Sequence, residues 1–142
     1  MTWLAWIIAL YVRIDPPLSD ALHVHVARAV LAVHPDRAMA ATLSDLIARE
    51  SSWRPWVVSR RGACGLAQIR PAVWGGTCRD YATRPLLTLA TAERIVRHYQ
   101  RTHGKRWLLA YQYGPNHPVT RGKNRPAKGR IGHRRIFPHP RH

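Results

Sequence analysis

Acidic residues are scarce: the 142 residues contain 7 Asp and Glu against 23 Lys and Arg, a formal charge of +16. Such a chain is expected to meet a polyanionic partner. Cysteine is equally sparse. Cys64 and Cys78 are too few for a disulfide framework and lack paired metal-ligand spacing, so they either bridge each other in an oxidising compartment or stay free thiols. No apolar run approaches the roughly 20 residues of a membrane-spanning helix. The longest, Met1 to Val12, is followed by Arg13 and Asp15-Pro16-Pro17. It reads as a first helix packed on the core, a surface attachment to a membrane, or, less in keeping with its flanks, a cleaved export signal. Alternating runs and internal repeats are also missing, which argues against a sheet protein or a repeat array.

The length suits one compact domain, and the apolar content is ordinary for a globular fold. The positive charge is unevenly placed. From Pro115 to His142 eight basic residues (Arg121, Lys123, Arg125, Lys128, Arg130, Arg134, Arg135, Arg141) occur with no carboxylate, among prolines and glycines and few apolar side chains. Such a segment buries too little surface to offset its ordering entropy. The expected organisation is an apolar N-terminal segment over 1–14, a helical domain over 15–115 and a flexible basic tail over 116–142. The tail suits an anionic wall polymer or a membrane surface. Nucleic acid is disfavoured there because stacking aromatics are reduced to Phe137.

Within the domain, Ser19 precedes a helical pattern of Leu22, Val26, Ala29, Val30 and Val33 that stops at His34-Pro35. From Asp36 a second stripe runs through Met39, Leu43 and Leu46, and Glu50 falls four residues later on the same face. Residues 51–88 read as a shaped loop with one short helix between Leu66 and Trp74, interrupted at Pro71. Thr88 is expected to cap a long helix carrying Leu89, Ala92, Ile95, Val96 and Tyr99, ended by Gly104, and Trp107 to Tyr113 forms a last helix before Gly114-Pro115. The nine histidines show no ligand spacing: His23 and His25 point apart on a helix, and they read as solvated or satisfied side chains.

One stretch is more specific. Glu50-Ser51-Ser52, a loop carrying Ser59, and then Gly62-Ala63-Cys64-Gly65-Leu66-Ala67-Gln68-Ile69-Arg70-Pro71 resembles the lysozyme-like lytic transglycosylases, in which a helix ends in Glu-Ser and a Gly-Ala-x-Gly-Leu-Met-Gln-Ile-x-Pro segment lines the glycan groove. Downstream, Arg84 to Tyr99 and Ala110-Tyr111-Gln112-Tyr113-Gly114 are similar to the family's later helix and its Ala-Tyr-Asn-x-Gly segment, so the likeness covers about Ser19 to Pro115. It implies an all-α, lysozyme-like single domain of about five helices, with Glu50 as catalytic acid and base. Ser51 and Ser59 would neighbour the site, Gln68, Ile69 and Gln112 would contact the glycan, and Tyr111 would lie close to the carboxyl. Ala67, Thr88 and Gln112 stand where the family favours methionine, asparagine and asparagine, which puts groove detail in doubt more than reaction class.

The residues support the same assignment independently. A glycosidic oxygen leaves readily only if protonated as the bond breaks, and a carboxyl ending an apolar stripe is placed for that task. Ordinary glycosidases need a second carboxylate. Glu93, the other glutamate, sits in a different helix, and only Asp80 follows the motif in the loop region. The scarcity favours a one-carboxylate mechanism without metal or organic cofactor, in which the muramic C6 hydroxyl closes a 1,6-anhydro ring. The substrate expected is peptidoglycan, the enzyme a monomer, and the setting a bacteriophage, whether for lysis or infection. The alternatives are a goose-type hydrolytic lysozyme and a basic nucleic-acid or virion structural protein on a degenerate lysozyme fold. Trp53, Trp56 and Trp74 are candidates for stacking on sugars or for packing alone.

Overall fold

A computed structural model describes residues 17–122 and the backbone of 133–136. The segment Met1 to Val12 lies outside these residues. The described chain holds six α-helices: α1 (Asp20–Ala32), α2 (Arg37–Ser51), α3 (Pro71–Trp74), α4 (Cys78–Thr83), α5 (Pro85–His103) and α6 (Trp107–Tyr113). A 3₁₀ turn, Gly104–Arg106, precedes α6, and two short strands, β1 (Val57–Ser59) and β2 (His133–Ile136), complete the set. None of the described helices is long and apolar enough to cross a membrane. The chain forms two compact units, one ending at Thr91 and rejoined by β2, the other beginning at Ala92.

In the first unit α2 follows its sequence pattern closely. Asp36 caps it by accepting the Met39 N–H at 3.0 Å. Met39, Ala40, Leu43, Leu46 and Ile47 are buried along one face, and Glu50 continues that face at the helix end. Helix α1 departs from expectation. Its buried face is His23, Ala27 and Leu31, while Leu22 is exposed and Val33 is 75% exposed. A stretch of alternating Val, Ala and His offers two nearly equivalent stripes to a periodicity argument, and tertiary packing chose the one containing a histidine. His23 is therefore a core residue, not a solvated one.

Two helix starts also differ from the sequence reading. Pro71 begins α3 instead of interrupting a helix, because proline at the first helical position loses no hydrogen bond and has its φ preset. Pro85 begins α5 in the same way. Thr88 is consequently inside the helix and buried, its hydroxyl donating to the Arg84 carbonyl at 2.8 Å and the Tyr81 carbonyl at 3.2 Å. Helix α4 was not anticipated, although Thr77 marks it by accepting the Asp80 N–H at 3.1 Å.

Two short strands accompany the helices, one of them within the segment expected to be a flexible basic tail. β1 and β2 pair antiparallel, Val57 with Ile136, Val58 with Arg135 and Ser59 with His133, with an irregularity between Val58 and Ser59. Strands of three and four residues carry too little alternation to be seen in sequence. Backbone pairing also requires no apolar burial, the quantity used to judge the tail. The remaining tail residues beyond Gly122 lie outside the described set.

In the second unit α5 continues to His103, where Gly104 at φ 52° turns the chain into the 3₁₀ turn. The folded chain runs beyond the boundary expected at 115. Val119 and Thr120 are buried, and the Thr120 hydroxyl donates to the Gly114 carbonyl at 2.8 Å and the Leu109 carbonyl at 3.2 Å. These bonds tie the segment after Gly114 back to α6.

Burial sets a pH dependence at His23. Neither ring nitrogen reaches hydrogen-bond geometry with a described residue. Desolvation lowers its pKa below 6.5, and the nearby Thr83 carbonyl, already taken by the Leu18 N–H at 2.9 Å, and the Asp20 carboxylate offset this only in part. The folded state thus excludes a proton that the unfolded chain accepts, so stability is complete above about pH 6.5 and declines as pH falls below it. Denaturant unfolding at a series of pH values should show this loss, with a slope of up to about 1.4 kcal/mol per pH unit, and His23→Leu should flatten it relative to wild type.

Candidate active site

Glu50 is the penultimate residue of α2 and is 4% exposed, placed at the end of the Leu43, Leu46 and Ile47 stripe by the helical repeat. Among the described residues it is the one carboxylate that is buried. Ser51 closes the helix beside it, fully buried, with its hydroxyl donating to the Ile47 carbonyl at 3.2 Å. The helix then stops abruptly. Ser52 and Trp53 both take left-handed backbone conformations, φ 53° and 59°, and the Arg54 guanidinium and N–H both bond the Ser51 carbonyl.

The Gly62 to Pro71 motif folds as a tight loop against β1. Ser59 opens it: its hydroxyl accepts the Ala63 N–H at 3.1 Å and its own N–H donates to the Ala63 carbonyl at 2.8 Å. Cys64 and Ile69 then exchange both backbone hydrogen bonds at 3.0 Å, enclosing Gly65, Leu66, Ala67 and Gln68. Leu66, Ala67 and Ile69 are buried, so the small side chain at 67 and the isoleucine at 69 face the core.

Gln68 holds this loop from within. It has φ 52°, an unfavoured region for a non-glycine residue. Its amide nitrogen donates to the Val57 carbonyl at 2.8 Å and the Gly65 carbonyl at 3.0 Å, while Oε1 is buried with no hydrogen-bond partner among the described residues. The Val57 carbonyl also accepts the Gly65 N–H at 3.1 Å.

Gly65, at φ 77°, is required for a second reason. A Cβ there would stand 2.5 Å from the Tyr81 carbonyl oxygen and 2.9 Å from its carbon. Tyr81 is buried, and its hydroxyl donates to the Gly75 carbonyl at 2.7 Å. This tyrosine organises both the motif loop and the turn before α4, a role that sequence reasoning missed; its place in an unanticipated helix was the obstacle. The two cysteines are bonded to each other, tying the loop at Cys64 to the start of α4 at Cys78.

Glu50, Ser51, Ser59, Gln68 and Ile69 thus all belong to the first unit. Tyr111 and Gln112 lie in the second, half-buried on α6, with the Tyr111 ring edge-on to Tyr99 at 6.4 Å between centroids. Two other described carboxylates of the first unit have tasks outside the core. Asp36 caps α2, and Asp80 pairs with Arg84 at 3.1 Å. In the second unit Glu93 faces Arg97 at 3.4 Å.

Residues 34–132 match the family model of the transglycosylase SLT domain, well over half of the chain. The chain belongs to the transglycosylase SLT family. Neither a curated protein nor a solved structure gives a match. An SLT domain acts on cell-wall peptidoglycan, which is therefore the substrate class of this chain, and glycan cleavage is its general activity. The largely helical architecture is that of a lysozyme-like SLT domain.

Two outcomes follow for the SLT loop. Gly65→Ala combines a left-handed backbone with a backbone clash and should cost at least about 2 kcal/mol, read as a lowered unfolding midpoint with loss of lytic activity. The disulfide closes a short loop and should contribute about 3 kcal/mol. Reductant should lower the unfolding free energy of wild type by that amount and leave the Cys64→Ser, Cys78→Ser double variant unchanged.

Proposed function

We propose that the chain is a lytic transglycosylase that cleaves the bond between N-acetylmuramic acid and N-acetylglucosamine, using Glu50 alone as acid and base. The observation that carries this reading is the burial of Glu50, alone among the described carboxylates, at the end of an apolar helix face beside the motif loop. Glu50 donates its proton to the glycosidic oxygen as the bond to the muramic anomeric carbon breaks, so the glucosamine leaves as an alcohol. The resulting carboxylate then takes the proton of the muramic C6 hydroxyl, whose oxygen bonds to the anomeric carbon and closes the 1,6-anhydro ring. No water is consumed, and Glu50 ends protonated for the next turnover.

A hydrolytic outcome needs a second carboxylate to activate water or to form a covalent intermediate. The pairing of Asp80 with Arg84 and the capping role of Asp36 favour the one-carboxylate route over the goose-type alternative. Ser51 and Ser59 shape the helix end and the loop mouth. Gln68 and Ile69 act through the shape of the loop, whose backbone they fix, and Tyr111 and Gln112 contact the glycan as the family motif implies. The +16 charge holds the enzyme on an anionic wall, as suits a bacteriophage enzyme for lysis or infection.

Digestion of purified peptidoglycan, with mass spectrometry of the released muropeptides, tests the assignment. Wild type should release products ending in 1,6-anhydromuramic acid, and Glu50→Gln should lower the rate at least about a hundredfold, while Asp80→Asn leaves the product type unchanged. Reducing ends bearing added water would refute the transglycosylase chemistry; an active Glu50→Gln would refute the role of Glu50.

A further inference from the structure

A recess lies between α1 and α2, with Glu50 absent from its lining. Arg28, Leu31 and Ala32 of α1, Arg37, Ala40, Ala41 and Ser44 of α2, and Trp53 surround a cleft of about 390 Å³. On α2 the lining residues Arg37, Ala40, Ala41 and Ser44 follow helical spacing on one face. From Ser44, Glu50 lies about 9 Å along the helix and about 120° around it. The cleft and the catalytic carboxyl therefore open on different sides of the same helix.

Its chemistry is distinctive. The floor is apolar, formed by the buried Leu31 and Ala40, whereas around it stand the exposed Ala32 and Ala41, two guanidinium groups, a hydroxyl and an indole, with no carboxylate in the lining. Arg37 is fixed in place: its Nη1 donates to the Leu31, Ala32 and His34 carbonyls at 3.2, 2.9 and 3.3 Å, at the end of α1. Arg28 is fixed by stacking, its guanidinium carbon 4.4 Å from the centre of the Trp53 ring. Neither cation is paired with a carboxylate among the described residues.

Trp53 reaches this position only because Ser52 and Trp53 both hold left-handed backbone conformations. Such strain in a bulky residue persists where surrounding contacts enforce it and is concentrated at binding and catalytic sites. Two held cations above an apolar floor suit a ligand with separated carboxylates joined by short hydrocarbon segments.

We infer that this cleft binds the peptide stem of peptidoglycan. Arg28 and Arg37 receive stem carboxylates, and the apolar floor receives its methyl and methylene groups. The inference rests on peptidoglycan being the substrate. It adds a site that holds the peptide while the glycan occupies the catalytic groove, and it selects strands that still carry stems. A phosphodiester polymer supplies anions but nothing for the apolar floor, so it is the weaker fit.

The test is titration of the full-length protein, at low salt, with the tripeptide L-alanyl-γ-D-glutamyl-meso-diaminopimelate, followed by calorimetry. Wild type should bind it, and Arg28→Gln and Ala41→Glu should each weaken binding roughly tenfold or more, as should amidation of the peptide carboxylates. Ala41 is an exposed helix position where glutamate is well tolerated, so the second variant keeps the test valid if loss of the Arg28 stack disturbs folding. Absence of binding by wild type, equal binding by folded variants, or tighter binding of poly(glycerol phosphate) would overturn the inference. Cleavage of peptide-free glycan strands is read in parallel. Both variants should retain the wild-type rate there, and a wild type that releases nothing from either these strands or intact peptidoglycan would defeat the transglycosylase reading while the peptide titration still reports on the cleft.

Discussion

The Val57 carbonyl receives two donors, the Gly65 N–H and the Gln68 amide nitrogen, and the loop from Cys64 to Ile69 is built on that shared acceptor. A loop of this kind exposes backbone groups that must be paired when the side chains on either side of it are buried. The reciprocal Cys64 and Ile69 bonds, the Tyr81 backbone pressed against Gly65 and the disulfide to Cys78 all maintain the same register. The left-handed backbone of Gln68 is offset by its two side-chain hydrogen bonds, so the strained residue and the loop stabilise each other.

Against this scaffold α2 does two things at once. One of its faces carries apolar residues to the core and delivers Glu50 at the end of them; another forms half of the Arg28 and Arg37 cleft. The abrupt stop at Ser52 serves both faces, because the same two left-handed residues that end the helix return Trp53 towards Arg28. Charge is arranged accordingly. The described carboxylates other than Glu50 lie outside the buried core, and Asp36, Asp80 and Glu93 among them cap a helix or pair with arginine, whereas the cleft cations are left for a ligand.

The C-terminal segment illustrates a different balance. Its composition predicts poor burial, and that argument concerns side chains. β2 nevertheless pairs with β1 because an exposed strand edge offers backbone donors and acceptors to any extended segment that reaches it. This places His133 to Ile136, within the most basic part of the chain, beside the strand that begins the motif loop.

The Glu50 helix, the long helix through Tyr99, the helix ending at Gly114 and the motif around Gly62 to Pro71 were legible in the sequence, because helical periodicity, Gly and Pro placement and residue spacing are local properties. The buried position of Glu50 followed from the same periodicity, since a helix carries a stripe onward without reference to its neighbours. Other features were decided only in three dimensions. The buried face of α1 turned from Leu22 and Val33 to His23 because two similar stripes compete until a partner surface exists. Tyr81 and its contact with Gly65, the joining of Cys64 to Cys78, and the meeting of Arg28 with Trp53 depend on segments distant in sequence, and packing alone brings them together.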